Sequence, residues 1–315
     1  MTTHSSKVIG GYFGLELTEQ YNYFTEGLAL NTGSNCLKYI IREYHIKEIY
    51  VPYYTCSAVL QALKDEQCDI KFYHIDETFM PTMDIEKNKY ILYTNYFGIL
   101  ANNVENLAKK YKNLIVDNAQ AFYMPQYGIA SFNSIRKFFG VPDGAILKSN
   151  KTDTKELERS TAYQKCSHLL KRIDISPQFG FLDFKTNENF INQEPVKLIS
   201  NLSKAILNSI DISKAKHTRL ENFAYLHNKL SSTNLLNINL NKYDVPMIYP
   251  YFTNNGKVAK EKLIKNNIFV ATYWESAKNL NKQECDFRDN ILALPIDQRY
   301  TTADMKEILK VINSF

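Results

Sequence analysis

Short apolar stretches alternate with amphipathic segments over roughly the first 120 residues, and this alternation narrows the possible folds more than any other feature. The predicted strands are EIYVPYYT, DIKFYHID, KYILYTNYFG and NLIVDNAQ, and the predicted helices between them are SAVLQALKDEQ and NNVENLAKKYK. Connections of helical length let strands run parallel, with helices covering the faces of the sheet. The sequence therefore predicts an α/β fold with a mostly parallel sheet flanked by helices.

Polar side chains follow the last of these strands, in the stretch LIVDNAQAFYMPQYGIASFNSIRKFFGVPDGAIL. Asp117 ends the apolar run, Gln120 lies three residues later, and Ser131 and Lys137 follow. Ligand-binding groups in an open parallel sheet gather at the carboxyl ends of its strands. An acid, a serine and a lysine in this order could hold one aromatic, phosphorylated aldehyde cofactor.

A helix is predicted in LNTGSNCLKYIIREYHI, because apolar residues recur at helical spacing after a polar start. The residues at that start are Thr32, Gly33, Ser34 and Asn35. The first N–H groups of a helix are unpaired and lie at the positive end of its dipole, so this start could bind a phosphate. An ordinary N-cap explains the same residues.

The last third of the chain has a different texture and predicts a second, smaller α+β domain. NLSKAILNSIDISKAKHTRLENFAYLHNKLSS is a long helix interrupted near Asp211, and TTADMKEILKVINSF is a closing helix. YDVPMIYPYFT and NNIFVATYW are predicted strands around the helix VAKEKLIK. We expect a large cofactor-binding domain over 1–200 and a small domain over 201–315, with the boundary between about 175 and 215.

Composition excludes several classes of protein. The net charge of +5 is mild and no basic run occurs, which argues against nucleic acid but suits an anionic small substrate. The five cysteines are scattered without metal-ligand or disulfide-framework spacing, and the six histidines have no mutual ligand spacing. No apolar run of about 18 residues predicts a membrane span. These features predict a cytoplasmic protein with reduced thiols, no metal site and no membrane segment.

The order of these pieces resembles the DegT/DnrJ/StrS family of sugar aminotransferases, which use pyridoxal 5'-phosphate (PLP) on the type I aminotransferase fold. The pieces are NTGSNCL, VPYYTCSAV, IKFYHIDETFMPTMD, TNYFG, VDNAQAF and SFNSIRKFFGVPDGA, followed by NNIFVATYW and LPIDQRYTTADMKEILKVI. The resemblance covers nearly the whole chain. Its strength lies in the order of the pieces, since no one of them is decisive.

The resemblance implies a role for each polar residue of the central stretch. Lys137 would form the covalent bond to the aldehyde and later move a proton. Its aromatic neighbours would leave it partly desolvated, which keeps more of an amine neutral and nucleophilic. Asp117 would pair with the pyridine nitrogen, and Gln120 would face the ring or its 3-oxygen.

Binding of the cofactor phosphate is implied for two further groups. Ser131 would contribute its hydroxyl, and Gly33, Ser34 and Asn35 would contribute backbone N–H groups. An ordinary structural role explains these residues equally well.

The chain departs from the family pattern at the lysine. One residue more than usual separates Ser131 from Lys137, so a rigid count places Arg136 where the lysine is expected. A one-residue bulge would restore Lys137 to that place.

Two further departures concern cofactor stacking and the partner subunit. Cys56 replaces the aromatic residue that usually stacks on the cofactor, so Tyr54 or Tyr53 is expected to supply the ring. The asparagine-arginine-methionine motif with which most members reach the partner's phosphate is not recognisable.

The resemblance implies a homodimeric PLP-dependent aminotransferase. It would move an amino group from an amino acid, with glutamate as the implied donor, to a nucleotide-linked keto-deoxysugar. One alternative is sugar dehydration on the same fold, but dehydratase relatives replace the lysine by histidine and this chain retains Lys137. Another is a regulatory or scaffold protein that kept the fold and lost turnover.

Overall fold

A seven-stranded sheet forms the centre of the computed structural model, which describes residues 11–18, 20–23, 27–153 and 157–314. Its strands, in chain order, are β1 (Leu28–Leu30), β2 (Glu48–Pro52), β3 (Asp69–Tyr73), β4 (Tyr90–Thr94), β5 (Asn113–Asn118), β6 (Ala130–Asn133) and β7 (Ala145–Ser149). Their order across the sheet is β1-β7-β6-β5-β4-β2-β3. The five strands from β6 to β3 run parallel, whereas β7 pairs antiparallel with both β6 and β1. The predicted mostly parallel sheet is confirmed.

Helices cover both faces of this sheet, as predicted. The helices are α1 (Gly33–Glu43), α2 (Ser57–Asp65), α3 (Ala101–Lys110), α4 (Ser167–Asp174), α5 (Phe181–Gln193), α6 (Asn201–Asn208), α7 (Ile212–Leu230), α8 (Gly256–Lys265), α9 (Lys282–Asn290) and α10 (Thr302–Ile312). Buried residues of α1 and α2 pack on one face, and those of α3 pack on the other together with the carboxyl-terminal third. None of the helices in the described ranges is long and apolar enough to span a membrane.

Two predicted helix boundaries are confirmed by their caps. Thr32 caps α1 with its side-chain oxygen, which accepts a hydrogen bond from the backbone N–H of Asn35 at 3.1 Å. The long helix predicted after residue 200 is interrupted where expected. Asp211 caps α7, since its carboxylate accepts from the backbone N–H of Lys214 at 2.8 Å.

One strand prediction is wrong. The small second sheet pairs β8 (Ile248–Phe252) antiparallel with β9 (Ile291–Pro295), and the segment NNIFVATYW joins neither strand. Asn267 and Trp274 have positive φ angles of 60° and 54°, which a strand does not accommodate. The segment packs as a loop instead: Val270 is buried, Phe269 is 61% exposed, and the half-buried ring of Trp274 packs against Tyr54 with centroids 4.6 Å apart. The division into domains at residue 200 stays a prediction.

Candidate functional site

The carboxyl ends of β2, β4 and β5, which are neighbours in the sheet, bring four polar side chains to one edge. Asp117 lies in β5, and Thr94 ends β4 and is its register partner. Thr55 follows β2 and Gln120 follows β5. All four residues are buried. The sequence placed Asp117 and Gln120 here, as the parallel strands require.

The carboxylate of Asp117 is buried at the end of β5. Its Oδ1 accepts a hydrogen bond from the backbone N–H of Ala119 at 2.8 Å. Burial raises the pKa of Asp117 above its ordinary value, and the positive charge of Lys137 and the Ala119 N–H oppose that rise. The lysine predicted to act with this acid is therefore close enough to influence it electrostatically.

Gln120 is held by one end of its amide. Its Oε1 accepts from the backbone N–H of Phe97 at 2.8 Å, and its Nε2 is buried without a hydrogen-bond partner. Gly98 permits this arrangement, because it has a φ of +71° and a Cβ there would lie 2.5 Å from the carbonyl oxygen of Gln120. The amide is thus fixed with its two N–H donors free.

Two threonines share this unsatisfied state. The hydroxyls of Thr55 and Thr94 are also buried without a partner, so three unpartnered polar atoms lie at one sheet edge. Buried polar groups are almost always hydrogen-bonded, so three unpartnered polar atoms close together indicate a ligand-binding site. The sequence reasoning did not select either threonine, although both stand at predicted strand ends.

Lys137 ends a single 3₁₀ turn, Ile135–Lys137, that follows β6. Its backbone N–H donates to the carbonyl oxygen of Ser134 at 3.3 Å. The residue is exposed, so the predicted desolvation among aromatic neighbours is wrong for the single chain. The turn lifts Lys137 out of the apolar layer that buries Phe138 and Phe139.

The predicted bulge between Ser131 and Lys137 is absent from the strand. Ser131 pairs with Lys148 in β7, and the backbone N–H of Ile135 still donates to the carbonyl oxygen of Gly144 at 3.1 Å, which keeps the same register. No extra residue is therefore accommodated before Ile135, and the turn alone decides which side chain faces the site.

Arg136 and Lys137 diverge at this turn. Arg136 forms an ion pair with Glu188 of α5, and burial lowers the pKa of its guanidinium to about 10. It stays protonated at neutral pH. Lys137, not Arg136, supplies the charge that acts on Asp117.

The start of α1 offers fewer donors than predicted. The backbone N–H of Asn35 is bound to Thr32, and its side-chain Nδ2 donates to Asn31 at 2.9 Å. The N–H groups of Gly33 and Ser34 have no partner among the hydrogen bonds of the described residues. The first turn of α1 also lies near the acid, because the charge of Asp117 contributes to the raised pKa of Cys36.

Ser131 lies away from this helix start. It is the register partner of Val116, whereas Asp117 is the partner of Phe132. Side chains alternate between the faces of a strand, so the hydroxyl of Ser131 and the carboxylate of Asp117 point to opposite faces. Phe132 packs in the layer that contains α1, whereas Val116 packs in the other core. The structure does not bring Ser131 together with Gly33 and Ser34.

The two tyrosines proposed for stacking are both engaged with other rings. Tyr54 is 1% exposed and packs against Trp274 and Tyr96 at centroid distances of 4.6 and 5.7 Å. Tyr53 stacks on His74 at 4.4 Å. Cys56 is only half-buried, at the N-cap of α2. A stacking role for Tyr54 stays a prediction.

Comparison with known proteins identifies the fold. No protein-family model matches the sequence, and no curated protein matches it. Among solved structures, a DegT DnrJ EryC1 StrS aminotransferase from Brucella abortus is 15% identical, with a TM-score of 0.62 over 91% of this chain and 85% of its own. DesI, solved in the presence of its TDP-sugar product, is 13% identical, with a TM-score of 0.63 over 91% and 79%.

A third solved structure, NtdA from Bacillus subtilis with bound cofactor PMP, is 14% identical, with a TM-score of 0.64 over 91% of this chain and 73% of its own. At these identities the likeness shows the fold, which is that of the type I PLP-dependent aminotransferases. No group of metal-ligating side chains occurs among the described residues.

Proposed function

We propose that the chain is a PLP-dependent aminotransferase that transfers an amino group from an amino acid, glutamate in the first instance, to a nucleotide-linked keto-deoxysugar. One observation supports the proposal above all: the buried carboxylate of Asp117 feels the positive charge of Lys137 and shares its sheet edge with three unpartnered polar atoms. DesI, which shares the fold, was solved with a TDP-sugar product, and this supports a nucleotide-sugar acceptor.

The residues at the sheet edge fit PLP. Asp117 would hold the proton on the ring nitrogen, and the free Nε2 donors of Gln120 would meet the ring oxygen. The unpartnered N–H groups of Gly33 and Ser34 would bind the phosphate at the positive end of α1. The hydroxyls of Thr55 and Thr94 provide two further hydrogen-bond partners.

PLP supplies, when bound, an aldehyde that accepts amines and a ring that withdraws electrons. Lys137 would provide the amine that attaches to the aldehyde, and its Nζ, once released, would carry a proton to and from the substrate carbon. Asp117 would keep the ring nitrogen protonated throughout, because a buried carboxylate favours a positive partner. The exposed position of Lys137 leaves room for substrate to approach.

A homodimer completes the proposal. Large apolar side chains are exposed along α4, α5 and the loop between them, namely Leu170, Ile173, Ile175, Phe179, Leu182 and Phe190. Exposed large apolar side chains that are grouped on neighbouring elements indicate an interaction surface. Covering it with a second copy would also shield the nearby Lys137 from solvent, which the single chain does not do.

A second candidate, a non-catalytic protein of the same fold, is favoured by one observation. The β6–β7 register has no bulge, so the residue that the family count matches to the lysine is Arg136, although Lys137 is the residue whose charge acts on Asp117. A guanidinium that stays protonated cannot form the bond to an aldehyde. The dehydratase alternative has no such support, because a lysine is retained at Lys137 and no histidine lies in the turn.

Absorbance spectroscopy separates these two candidates. The purified chain is mixed with PLP, dialysed and scanned, and glutamate is then added. An aminotransferase should keep a yellow absorbance band that shifts with glutamate. A chain that stays colourless, or whose absorbance band does not shift with any amino acid donor, would favour the non-catalytic protein.

A further inference from the structure

A cavity of about 410 Å³ is lined by the turn that carries Lys137. It is bounded by residues 136–141, by the α4–α5 hairpin and by the segment Asp297–Arg299. Asp117 and Gln120 do not line it. The volume falls within the range of small-molecule sites, and Lys137, which lines this cavity, also acts electrostatically on Asp117 at the sheet edge.

The lining of the cavity is strongly cationic. Its charged side chains are Arg136, Lys137, Arg172, Arg219 and Arg299, with one carboxylate, Asp297. The two ion pairs formed by these side chains in the described part of the chain join Arg136 to Glu188 and Arg299 to Asp297. The other three cations, those of Lys137, Arg172 and Arg219, form no salt bridge among the described residues.

Arg219 is the least expected of these cations, because its side chain is 1% exposed. Its guanidinium donates to the carbonyl oxygens of Met247 at 3.0 Å and Phe138 at 3.4 Å, and its Nε has no partner. Burial lowers its pKa, and the charge of Asp297 opposes that change. Asp297 also forms a salt bridge with Arg299, so a second anion in the adjoining cavity would reduce the cost of keeping the Arg219 cation buried.

Other polar atoms around the cavity are also unpartnered and buried. They are the Nε of Arg136, the Nδ1 of His168 and the Oε1 of Gln298. Aromatic rings of Phe138, Phe181 and Phe184 complete the wall. Arginine forks suit phosphate and carboxylate oxygens, and apolar walls exclude water from such contacts.

We propose that this cavity is an oxyanion subsite that holds a charged group of the substrate beside Lys137, through Arg172 and Arg219. The inference rests on the proposed function in one respect: it takes the bound anion to be a group of the substrate. Two sources share the chemistry: the diphosphate of a nucleotide sugar and the carboxylates of an amino acid donor. Arg172 is the solvent-exposed cation of the subsite, and Arg219 is its buried cation.

The test is calorimetric titration of the full chain, without PLP, with pyrophosphate, UDP and L-glutamate at fixed ionic strength. Arg172→Gln should weaken binding of the true class of anion about tenfold, equivalent to about 1.4 kcal/mol. The matched control is Lys185→Gln, which removes an equal charge from α5 at an exposed position that does not line the cavity. It should change the affinity less than about twofold.

Loss of pyrophosphate and UDP affinity in Arg172→Gln would identify a diphosphate subsite, and loss of glutamate affinity would identify a carboxylate subsite. The proposal is overturned if no probe binds below millimolar concentration, or if both variants weaken binding equally. Anion binding needs no cofactor. A chain that binds pyrophosphate but not PLP would therefore keep this inference and lose the proposed function, and the reverse result would do the opposite.

Discussion

The positive charge of Lys137 opposes the rise that burial causes in the pKa of Asp117. The two residues come from different segments, since Lys137 ends a 3₁₀ turn after β6 and Asp117 lies at the end of β5. Parallel pairing of β5 with β6 brings the two segments to the same sheet edge. An acid that is buried and a lysine that is exposed thus form one electrostatic unit. That unit is the core of the proposed site.

Replacing Asp117 should stabilise the cofactor-free chain at neutral pH. Burial raises the folded pKa of Asp117, so the folded chain binds this proton more tightly than the unfolded chain, and stability falls as pH rises through the folded pKa. Asp117→Asn keeps an oxygen for the Ala119 N–H and removes the charge. Thermal unfolding should show a Tm higher by about 2 °C or more at pH 8, with the gap closing towards pH 4. A lower Tm at pH 8 would contradict this reading.

The same substitution should weaken PLP retention. A charge-assisted hydrogen bond is worth about 1.5–3 kcal/mol, so Asp117→Asn should raise the Kd of PLP roughly 10- to 100-fold in a fluorescence or absorbance titration. Asp69→Asn, at the exposed amino end of β3 and therefore at the opposite edge of the sheet, is the matched control and should leave the Kd unchanged. Equal affinity of both variants would remove Asp117 from the site.

Gly98→Ala should disturb the support of Gln120. The φ of +71° disfavours alanine, and the added Cβ would meet the carbonyl oxygen of Gln120 at 2.5 Å. We expect a loss of about 1–3 kcal/mol in the free energy of unfolding measured with urea. Gly14→Ala, where no atom lies within 4 Å of the new Cβ, should change it little. A neutral effect at Gly98 would mean that the turn relaxes freely.

Glu284 ties the carboxyl-terminal third to the end of β3. Its fully buried carboxylate accepts from the backbone N–H groups of Ile75 at 3.0 Å and Asn281 at 2.9 Å, and lies 2.8 Å from His74 Nδ1. Glu284→Gln places an amide donor against an N–H donor and should cost about 2 kcal/mol in urea unfolding. Glu261→Gln, on the exposed surface of α8, should cost less than about 0.5 kcal/mol. Similar costs at both sites would show that the Glu284 contacts are weak.

The exposed surface of α4 and α5 should carry the dimer contact. Ile173, 82% exposed, is replaced by glutamate, which would place a charge in an apolar interface. Light scattering after gel filtration should then report a monomer for Ile173→Glu and a dimer for the native chain. Val258→Glu, at an exposed apolar position on α8, should stay dimeric. A native chain that runs as a monomer at all concentrations would refute the dimer.

Periodicity and strand ends explain why much of the fold could be predicted. The parallel strands, the capped start of α1 and the break at Asp211 all depend on local sequence, so they were found. Strand β9 was missed because its pairing with β8 depends on tertiary packing. The segment NNIFVATYW was predicted as a strand because its apolar content gives no indication of the positive φ at Trp274.

The site shows the same division between local and non-local information. Asp117 and Gln120 were found because they follow a strand. The opposite orientation of Ser131 depends on the register between β5 and β6, which local sequence does not contain. The exposure of Lys137 and the pairing of Arg136 with Glu188 depend on where α5 packs, and no pattern within the turn itself reports that position.

The lysine that binds PLP can be identified by chemical labelling, and this tests the role of Lys137. The chain is loaded with PLP, reduced with borohydride, digested, and searched by mass spectrometry for the modified lysine, with Lys137→Ala treated in parallel. We expect one modified lysine, Lys137, and no specific modification in the variant. Label on a different lysine, or equal label in the native chain and in Lys137→Ala, would contradict this expectation.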